Sequence, residues 1–437
     1  MQIIIHRGTH EIGGSCVEIK SGQSRIILDI GMPLVEKSGE KFKFSRYEYL
    51  NGQELVNNGI LPNVKGLYKW DKSSDSPDGV FISHAHIDHY GFYNYLNDDI
   101  HYYLGEGTKR MIDISAFFLD HEGKINKYTF IKSGQPLKVG SFTVTPFLMD
   151  HSAFDAHAFL IEVDGKKILY SGDFREHGRK FKAFQWFMLK VPKDIDALLL
   201  EGSILGREES KLDTEKDIED SIVKIIDKEP SIILGVSSSQ NIDRLVSFYK
   251  AAMRTKRLFA IDVYTANILE NLKDIAKVPY PSKAYKNIRV FFPKFICDKL
   301  ARKYRTDLMT RFRDFKITKE EISQNIGNIV MMVRPSMIFD LLRIKNIEGS
   351  IVIYSMWEGY LKEASMYKFH DLVMKKNMKM RVCHTSGHAA ISTLKKVVSK
   401  IKPKVIIPIH TFHPEQYKGL FKGTKILEVA DRQEIEI

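Results

Sequence analysis

The chain has 437 residues, of which 43% are hydrophobic, enough to bury one large core or, as we expect, two moderate ones. No stretch approaches the roughly 18 consecutive apolar residues of a membrane span, which excludes a helical membrane protein and predicts a soluble one. The formal net charge of +12 favours a polyanionic partner such as nucleic acid over neutral or cationic substrates, although a solvated basic surface without a ligand has the same composition.

The N-terminus and the cysteines predict the cellular compartment. Residues 1–7 place a histidine directly after three isoleucines and leave no apolar region of signal-peptide length, so export is not expected. The three cysteines, Cys16, Cys297 and Cys383, lie at unrelated spacings, without a Cys-x-x-Cys pair or a disulfide-dense pattern. A reducing, cytoplasmic location is therefore predicted.

The first part of the chain is predicted to form short strands broken by turns. These strands are residues 2–6, 16–20, 25–30, 80–82 and 142–149. The polar segment 37–78 predicts loops with at most one short helix. Further on, residues 159–163 and 167–170 flank Asp164-Gly165, a pair that suits the two-residue loop of a β-hairpin.

From residue 206 onward helical and strand-like segments alternate, which is typical of an α/β domain. The predicted helices there are 217–227 and 242–253, and the predicted strands are 232–236 and 351–354. The end of the chain predicts a strand at 380–383, a helix at 389–401 and a buried strand at 404–408. Neither internal repeats nor low-complexity tracts are present in the sequence.

The run Ser83-His84-Ala85-His86-Ile87-Asp88-His89, directly after the strand predicted at 80–82, carries the strongest chemical signal. Alternate side chains of an extended segment share a face, so His84 and His86 can face one ion. The turn that follows can direct Asp88 and His89 toward a second ion. Imidazoles with a carboxylate suit zinc, or manganese where the site is richer in oxygen. The run therefore predicts a metal centre.

Further ligand types follow other predicted strands. His151 comes after the strand at 142–149, and His410 comes after the buried strand at 404–408. Gly172 lets the backbone turn after the hairpin, so that Asp173 can bridge two ions. Taken singly, each of these is more often a cap or a turn residue, but together with the first run they make a ligand set.

These residues, with Asp29 at the end of the strand at 25–30, resemble the metallo-β-lactamase superfamily motif by motif. The resemblance implies that His84, His86 and His151 hold one metal, that Asp88, His89 and His410 hold a second, and that Asp173 is shared. It implies two Zn²⁺ ions, or Mn²⁺ in their place, that activate a water which Asp88 helps to orient. Asp29 would orient one of the metal ligands without binding a metal itself. The alternative is that Asp29 only caps a turn.

Three later motifs resemble the β-CASP branch of that superfamily, whose members cleave nucleic acids. They are the segments 198–203 around Glu201, 384–388 and 407–410. Within this branch the sequence is most similar to the ribonuclease J family, through residues 11–16, 171–175 and 238–244. The implied fold is α/β, a metallo-β-lactamase αββα sandwich with an inserted α/β β-CASP domain. The implied division is residues 1–205 and 381–437 for the sandwich and 206–380 for the insertion.

The motif His384-Thr385-Ser386-Gly387-His388 also has a physical interpretation of its own. Hydroxyls and free amides directly before a helix form a phosphate seat, which makes His384, Ser386 and Gly387 candidate phosphate contacts. His388 can then protonate the leaving oxygen, with Glu201 tuning its charge. Ordinary helix capping by Ser386 is the alternative. The ribonuclease J resemblance adds Ser238 and Ser239 to the candidate RNA contacts.

The segment 299–319 is rich in Lys and Arg and interleaves Tyr304, Phe312 and Phe315. Phosphate neutralisation with base stacking fits single-stranded nucleic acid, but a charged amphipathic helix with its aromatics in the core has the same pattern. Trp70, between Lys69 and Lys72, is a similar candidate for the rim of a cleft.

The predicted function is a zinc-dependent nuclease that hydrolyses RNA, internally or from a 5′ end, with single-stranded RNA as the preferred partner. One alternative is a metallo-hydrolase of a small ester, thioester or lactone, which would need neither a long cleft nor a second phosphate seat. Another is a catalytically inactive RNA-binding protein. DNA stays an alternative substrate, because metal chemistry does not sense the 2′-hydroxyl, and a homodimer stays an alternative to a monomer.

Overall fold

A computed structural model describes residues 1–36, 38–73, 75–119, 123–207 and 212–437. In these ranges the strands are β1 (Gln2–Arg7), β2 (Cys16–Ser21), β3 (Ser24–Leu28), β4 (Gly79–Ile82), β5 (Tyr102–Leu104), β6 (Tyr128–Phe130), β7 (Leu137–Val139), β8 (Phe142–Leu148), β9 (His157–Val163), β10 (Lys166–Tyr170), β11 (Ala197–Glu201), β12 (Ile233–Val236), β13 (Leu258–Asp262), β14 (Ile288–Phe291), β15 (Ile329–Val333), β16 (Ile351–Tyr354), β17 (Lys379–Val382), β18 (Val405–Ile409), β19 (Lys425–Ile426) and β20 (Glu434–Glu436).

The α-helices in the same ranges are α1 (Gly52–Asn57), α2 (Ile87–Tyr90), α3 (Glu106–Leu119), α4 (Phe181–Lys190), α5 (Glu215–Ile226), α6 (Ile242–Arg254), α7 (Val263–Asn271), α8 (Lys294–Arg302), α9 (Asp307–Thr310), α10 (Lys319–Gln324), α11 (Ile338–Leu341), α12 (Ala364–Lys375), α13 (Ile391–Ile401) and α14 (Tyr417–Leu420). None of these helices combines the length and the apolar character that crossing a membrane requires.

Two sheets of seven strands pack face to face. Their strand orders are β20-β1-β2-β3-β4-β5-β6 and β19-β18-β11-β10-β9-β8-β7. Alternate side chains of each strand point into the shared core, where the rings of Phe81 and Phe159 meet with their centroids 5.3 Å apart. Leu199 of β11 faces this core, while Leu198 and Leu200 face the opposite side of the sheet. The sandwich therefore has an apolar layer between its sheets.

Helices cover the two outer faces of the sandwich. Phe184 of α4 and Leu394 of α13 pack on the second sheet, and Leu55 of α1 and Met111 of α3 pack on the first. The layers are therefore helix, sheet, sheet and helix, which confirms the predicted αββα arrangement.

A third sheet, with the order β14-β13-β15-β12-β16-β17, is formed by strands that lie between Ile233 and Val382. All of its strand pairs are parallel, and buried side chains line both of its faces, as in an α/β domain. It meets the sandwich where α3 packs on α7, with the rings of Phe118 and Tyr264 4.6 Å apart. The boundaries at 205/206 and 380/381 stay a prediction.

Most predicted elements differ from the observed ones by a few residues at their ends, and local chemistry explains the differences. Helix α5 begins at Glu215 because Thr214 and Asp217 form a reciprocal capping box. Asp164 and Gly165 have φ values of 51° and 72°, as the predicted two-residue hairpin loop requires. Helix α13 begins only at Ile391, after Ala390, which makes no side-chain capping bond.

Candidate metal centre and catalytic site

The candidate residues meet at one edge of the sandwich because the strands that precede them end there. Strands β10, β11 and β18 run parallel to one another, so the segments that follow them emerge at the same edge. This brings Asp173, Glu201 and His410 together, although they are far apart in sequence. The run after β4 and the segment after β8 add the remaining histidines from both sheets.

The first group consists of His84, His86 and His151, whose nearest ligand atoms all lie within 4.8 Å of one another. Nδ1 of His151 donates to the carbonyl oxygen of Gly387 over 2.6 Å, which leaves Nε2 of the same ring as the lone-pair atom. Nε2 of His151 lies 3.2 Å from Nδ1 of His86. Burial lowers the pKa of His84 and of His151 well below the usual range, which favours the neutral form that binds metals.

The second group consists of Asp88, His89, Asp173 and His410, again within 4.8 Å of one another. Oδ2 of Asp173 lies 3.3 Å from Nε2 of His89 and 3.5 Å from Nε2 of His410. The same oxygen lies 3.8 Å from Nε2 of His84, so Asp173 stands between the two groups. Burial alone would raise the pKa of Asp173, but the imidazoles of His410 and His89 outweigh it and hold this pKa well below its usual range.

Unsatisfied polar atoms test whether this donor set fits metal ions. Nε2 of His84, His89 and His410 and both carboxylate oxygens of Asp173 are buried without a hydrogen-bond partner, which is costly unless another ligand satisfies them. The imidazole nitrogens around Asp173 lie 3.3 to 4.0 Å from its Oδ2. A tetrahedral site with bonds of about 2.1 Å separates its ligands by about 3.4 Å. The residues therefore fit divalent cations.

Asp29 lies outside the two groups of metal ligands and supports them through hydrogen bonds. Its carboxylate lies 2.7 Å from Nδ1 of His89 and accepts hydrogen bonds of 2.7 Å from the Ser83 backbone amide, the Ser83 hydroxyl and the Tyr170 hydroxyl. These contacts go beyond a turn cap. They orient His89 with Nε2 toward the other donors.

Two backbone features turn the ligands toward the centre. His410 has a φ of 52°, a left-handed conformation that non-glycine residues rarely adopt. Gly172, before Asp173, has the same φ of 52°, and a Cβ there would lie 2.8 Å from the carbonyl oxygen of His157. The turn after β10 therefore requires glycine, as the sequence predicts.

His388 and Glu201 form a third group with Asp173. Nδ1 of His388 lies 3.6 Å from Oε2 of Glu201 and 3.7 Å from Oδ2 of Asp173. The Glu201 carboxylate accepts from the backbone amides of Ser203 and Ala389, over 3.0 and 3.3 Å. Burial would lower the pKa of His388, but the charges of Glu201 and Asp173 outweigh it and raise this pKa. The pair borders the metal donors and favours a protonated imidazole.

Hydrogen bonds to Ser386 fix the position of the segment 384–388. The Ser386 carbonyl oxygen accepts from Nη1 of Arg175 over 2.9 Å and from Nε2 of His177 over 2.8 Å, and the Ser386 hydroxyl accepts from the His388 amide over 3.0 Å. Since α13 begins five residues after Ser386, helix capping by Ser386 is wrong. The expectation that this run lies directly before a helix is wrong as well, so a phosphate seat at 384–388 would depend on the loop and not on the helix N-terminus. Nδ1 of His384 lies 3.5 Å from Nη1 of Arg244.

The other candidate RNA contacts lie in different environments. The Ser239 hydroxyl is buried and pairs with that of Thr265 over 2.8 Å, whereas Ser238 is exposed at the end of β12. Phe312 is fully buried, so it belongs to the core and the stacking alternative is wrong for this ring. Tyr304 is 93% exposed. Trp70 is partly buried and stacks on Tyr68 at 4.8 Å, within the core of the first domain.

A buried ionic cluster beneath the segment 384–388 was missed in the sequence. Arg175 and Arg244 are both fully buried, and both bind Glu215, with N–O distances of 3.3 and 3.0 Å. Arg175 also lies 2.6 Å from Asp243 and 3.4 Å from Asp150. Glu215 lies in the first turn of an amphipathic helix, where a carboxylate normally faces solvent, so no local pattern predicts its burial.

Comparison with known protein families agrees with this geometry. Residues 66–223 match the family described as Beta-lactamase superfamily domain, and residues 373–417 match the Zn-dependent metallo-hydrolase RNA specificity domain. The first match contains six of the seven candidate metal ligands, and the second contains the segment 384–388 and His410. The fold and site are thus those of the metallo-β-lactamase superfamily. Within that superfamily the chain is similar to the β-CASP branch and to ribonuclease J.

Individual relatives show how far this similarity extends. Ribonuclease J of Helicobacter pylori (strain ATCC 700392 / 26695) is 22% identical, over 92% of this chain and 55% of its own length. Probable RNase MJ4 of Methanocaldococcus jannaschii is 22% identical, over 94% of this chain and 93% of its own length. The chain therefore spans about half the length of the ribonuclease J relatives that it matches first.

A solved structure shares the fold along the whole chain. It is the crystal structure of a protein of unknown function from Enterococcus faecalis V583, with a TM-score of 0.78 and 22% identity. The match covers 99% of both chains. The inserted α/β domain is therefore part of a fold already seen in a crystal.

Proposed function

We propose that this chain is a metal-dependent nuclease that hydrolyses phosphodiester bonds in RNA. The observation that carries the proposal is the position of Asp173, whose carboxylate oxygens lack partners between two groups of imidazoles and beside the pair of His388 and Glu201. Names of relatives that include ribonuclease J and probable RNase MJ4 support RNA as the substrate class. Two Zn²⁺ ions are the proposed cofactors, with Mn²⁺ as the alternative.

Each ligand has a proposed role. His84, His86 and His151 would hold one cation, Asp88, His89 and His410 would hold a second, and Asp173 would be a ligand common to both groups. Bound there, divalent cations supply Lewis acidity to the scissile phosphate and lower the pKa of an attacking water. Asp88 orients that water through its carboxylate.

The chain supplies the proton of the leaving group. Glu201 and Asp173 face Nδ1 of His388 at 3.6 and 3.7 Å, which stabilises the protonated ring. His388 can then deliver a proton to the leaving oxygen. His384, Ser386 and Gly387 are the proposed phosphate contacts beside it, and Ser238 is a further one, since its side chain is exposed.

A groove with an excess of basic side chains supports a polyanionic substrate. It has a volume of about 680 Å³, lies between the sandwich and the inserted domain, and is lined by five cations (Arg179, Lys180, Lys216, Lys250 and Lys277) and two carboxylates (Glu176 and Asp243), of which Asp243 pairs with Lys180. Nζ of Lys180 donates to the carbonyl oxygen of His151 over 2.9 Å, so the groove adjoins the metal donors. A small ester, thioester or lactone would need neither this groove nor the contacts at 384–388. An inactive RNA-binding protein would not need the unpartnered donors around Asp173.

The test is a hydrolysis panel with the zinc- or manganese-loaded chain. Its substrates are linear RNA with a 5′-monophosphate or a 5′-triphosphate, circular RNA, single-stranded DNA of the same sequence and a generic thioester. We expect RNA products that Asp173→Asn abolishes, and products from circles would demonstrate internal cutting. Hydrolysis of the thioester with intact RNA would contradict the proposal. Intact RNA that the chain nevertheless binds would favour the inactive RNA-binding alternative.

The cytoplasmic location and the choice between monomer and homodimer stay predictions from sequence. DNA stays an alternative substrate, which the DNA arm of the same panel tests.

A further inference from the structure

Two exposed aromatic side chains of the inserted domain have no role in a core. Trp357 is 46% exposed and Tyr360 is 38% exposed, and their rings meet edge to face with centroids 5.3 Å apart. A Cβ on Gly359 would lie 2.2 Å from the Trp357 ring, so the indole lies directly against the backbone. The ring is therefore held against the backbone, while nearly half of the side chain stays exposed.

Cations from the sandwich reach both rings. The Arg207 guanidinium lies 5.0 Å from the centroid of the Trp357 ring, and Nζ of Lys41 lies 5.9 Å from that of Tyr360. Nζ of Lys41 also pairs with Oε2 of Glu363 over 2.7 Å, which joins its loop to the inserted domain. Aromatic rings and cations from two domains therefore form one surface, which we call the stacking platform (Trp357, Tyr360, Arg207 and Lys41).

The stacking platform lies beside the metal donors. Arg207 follows Gly206, where a Cβ would lie 2.1 Å from Nε2 of His413, in the segment that begins with His410. On the other side, a Cβ on Gly13 would touch both Leu34, at 2.8 Å, and Asp88, at 3.2 Å, so the loop of Leu34 and Lys41 borders Asp88. Burial raises the pKa of Tyr360, and the charge of Asp88 raises it further, in agreement with this proximity.

We propose that the stacking platform binds an unpaired nucleobase next to the scissile phosphate, with the base stacked on Trp357 and the cations on the neighbouring phosphates. Every base has a π-face, so such a contact selects unpaired nucleotides without selecting a sequence. A base inside a duplex cannot make it, because its faces are covered by the adjacent base pairs. The inference rests on the proposed function and assigns to Trp357, at that same site, the contact that would select the single-stranded RNA predicted from the sequence.

A double-mutant cycle between protein and RNA tests this proposal. The probes are single-stranded RNA oligomers in which one base at a time is removed, and binding is followed by fluorescence anisotropy. The metal-loaded chain carries Asp88→Asn so that hydrolysis does not consume the probe. Trp357→Ala and Trp357→Phe are compared, with Tyr304→Ala as a control for another exposed aromatic residue. In case the Asp88→Asn chain does not fold, the cycle is repeated with Asp88 intact, and KM and kcat for RNA cleavage are measured separately.

The expected result is specific to one base. Removing that base raises Kd about tenfold, Trp357→Ala raises Kd equally, and the two changes together cost no more than either alone. Trp357→Phe restores most of the affinity, Tyr304→Ala leaves it unchanged, and blunt duplex RNA binds Trp357→Ala as it binds the parent chain.

Two results separate this inference from the proposed function. RNA cleavage by the wild-type chain without coupling to Trp357 at any position overturns the stacking platform and leaves the nuclease in place. Coupling at one position in a chain that cuts no RNA supports the platform and overturns the nuclease. An equal loss of single-stranded and duplex affinity in Trp357→Ala also overturns the platform, since it would point to a general electrostatic or structural role.

Discussion

Two residues of the candidate site have a strained backbone conformation. Asp29 and His410 have φ values of 60° and 52°, a conformation that costs a non-glycine residue about 1–3 kcal/mol. Hydrogen bonds compensate for this cost. Asp29 binds Ser83, Tyr170 and His89, and the His410 amide donates to the Gly8 carbonyl oxygen over 2.7 Å. The strained conformations are thus held by the same contacts that orient the ligands.

His388→Ala tests whether His388 acts as the proton donor and not as a metal ligand. Because His388 faces Glu201 and lies outside both imidazole groups, we expect kcat to fall about 100- to 10,000-fold while the metal content stays that of the wild type. Steady-state kinetics and elemental analysis of the purified protein measure the two effects.

Asp173→Ala is the matched comparison, because it removes the shared carboxylate and should lose both activity and metal. Equal metal loss in His388→Ala and Asp173→Ala would show that His388 is itself a ligand.

At the scale of elements, two helices of the inserted domain support the motif at 384–388. Glu215 of α5 and Arg244 of α6 bind each other, and Arg244 also donates to the Ser355 carbonyl oxygen over 2.9 Å and to the Thr385 carbonyl oxygen over 3.3 Å. Burial would raise the pKa of Glu215, but the guanidinium groups of Arg244 and Arg175 outweigh it and lower this pKa to about 2. The ionised carboxylate therefore stabilises the folded chain.

This cluster predicts a loss of stability in acid. The folded pKa of Glu215 lies below its ordinary value of 4.5, so its contribution is complete above pH 4.5 and disappears as the pH falls toward 2. Glu215→Gln should lower the free energy of unfolding by about 3–5 kcal/mol at pH 7, since two buried guanidinium groups lose their partner. The difference from wild type should shrink as the pH falls.

Urea unfolding of the metal-free chain between pH 7 and pH 3 measures both effects. Chelation removes the contribution of metal dissociation, and histidine protonation is common to both chains, so it cancels in the difference between them. A Glu215→Gln chain as stable as wild type at pH 7 would mean that the carboxylate contributes nothing to the fold.

At the scale of the whole molecule, the sandwich and the inserted domain share more than the site. Nη1 of Arg110 in α3 donates to the Asn271 carbonyl oxygen over 2.8 Å, and the Asn271 side chain donates to the Arg110 carbonyl oxygen over 3.0 Å. Together with the contact of Phe118 and Tyr264, these bonds hold α3 against α7. The contacts hold the two domains together beside the cleft that RNA would enter.

Metal binding should stabilise the whole chain. The candidate ligands come from four separated stretches, so they converge only in the folded state, and a ligand at about 1,000 times its Kd adds about 4 kcal/mol of stability. We expect chelation to lower Tm by several degrees, and zinc or manganese to restore it, in differential scanning calorimetry.

Asp173→Asn provides the control, because its Tm should respond much less to either treatment. The same Tm with and without chelator in a wild-type chain that analysis shows to be metal-loaded would contradict the proposed linkage.

Several features could be predicted from sequence because they depend on short-range geometry. The run from His84 to His89 places ligand types on adjacent positions of a strand and its turn, and Asp164-Gly165 forms its hairpin through two local φ angles. Apolar strands followed by polar residues predicted that Asp173 and His410 lie at strand ends. That these ends meet follows from the parallel pairing of β10, β11 and β18 in the structure.

Other features were decided only by the tertiary structure. Three such features are the burial of Glu215 between two arginines, the hydroxyl pair of Ser239 and Thr265, and the edge-to-face rings of Trp357 and Tyr360 beside a distant Arg207. The physical reason is that periodicity and motifs record which face of a local element a side chain occupies. Desolvation, charge pairing and stacking depend on the partner that a distant segment brings to that face.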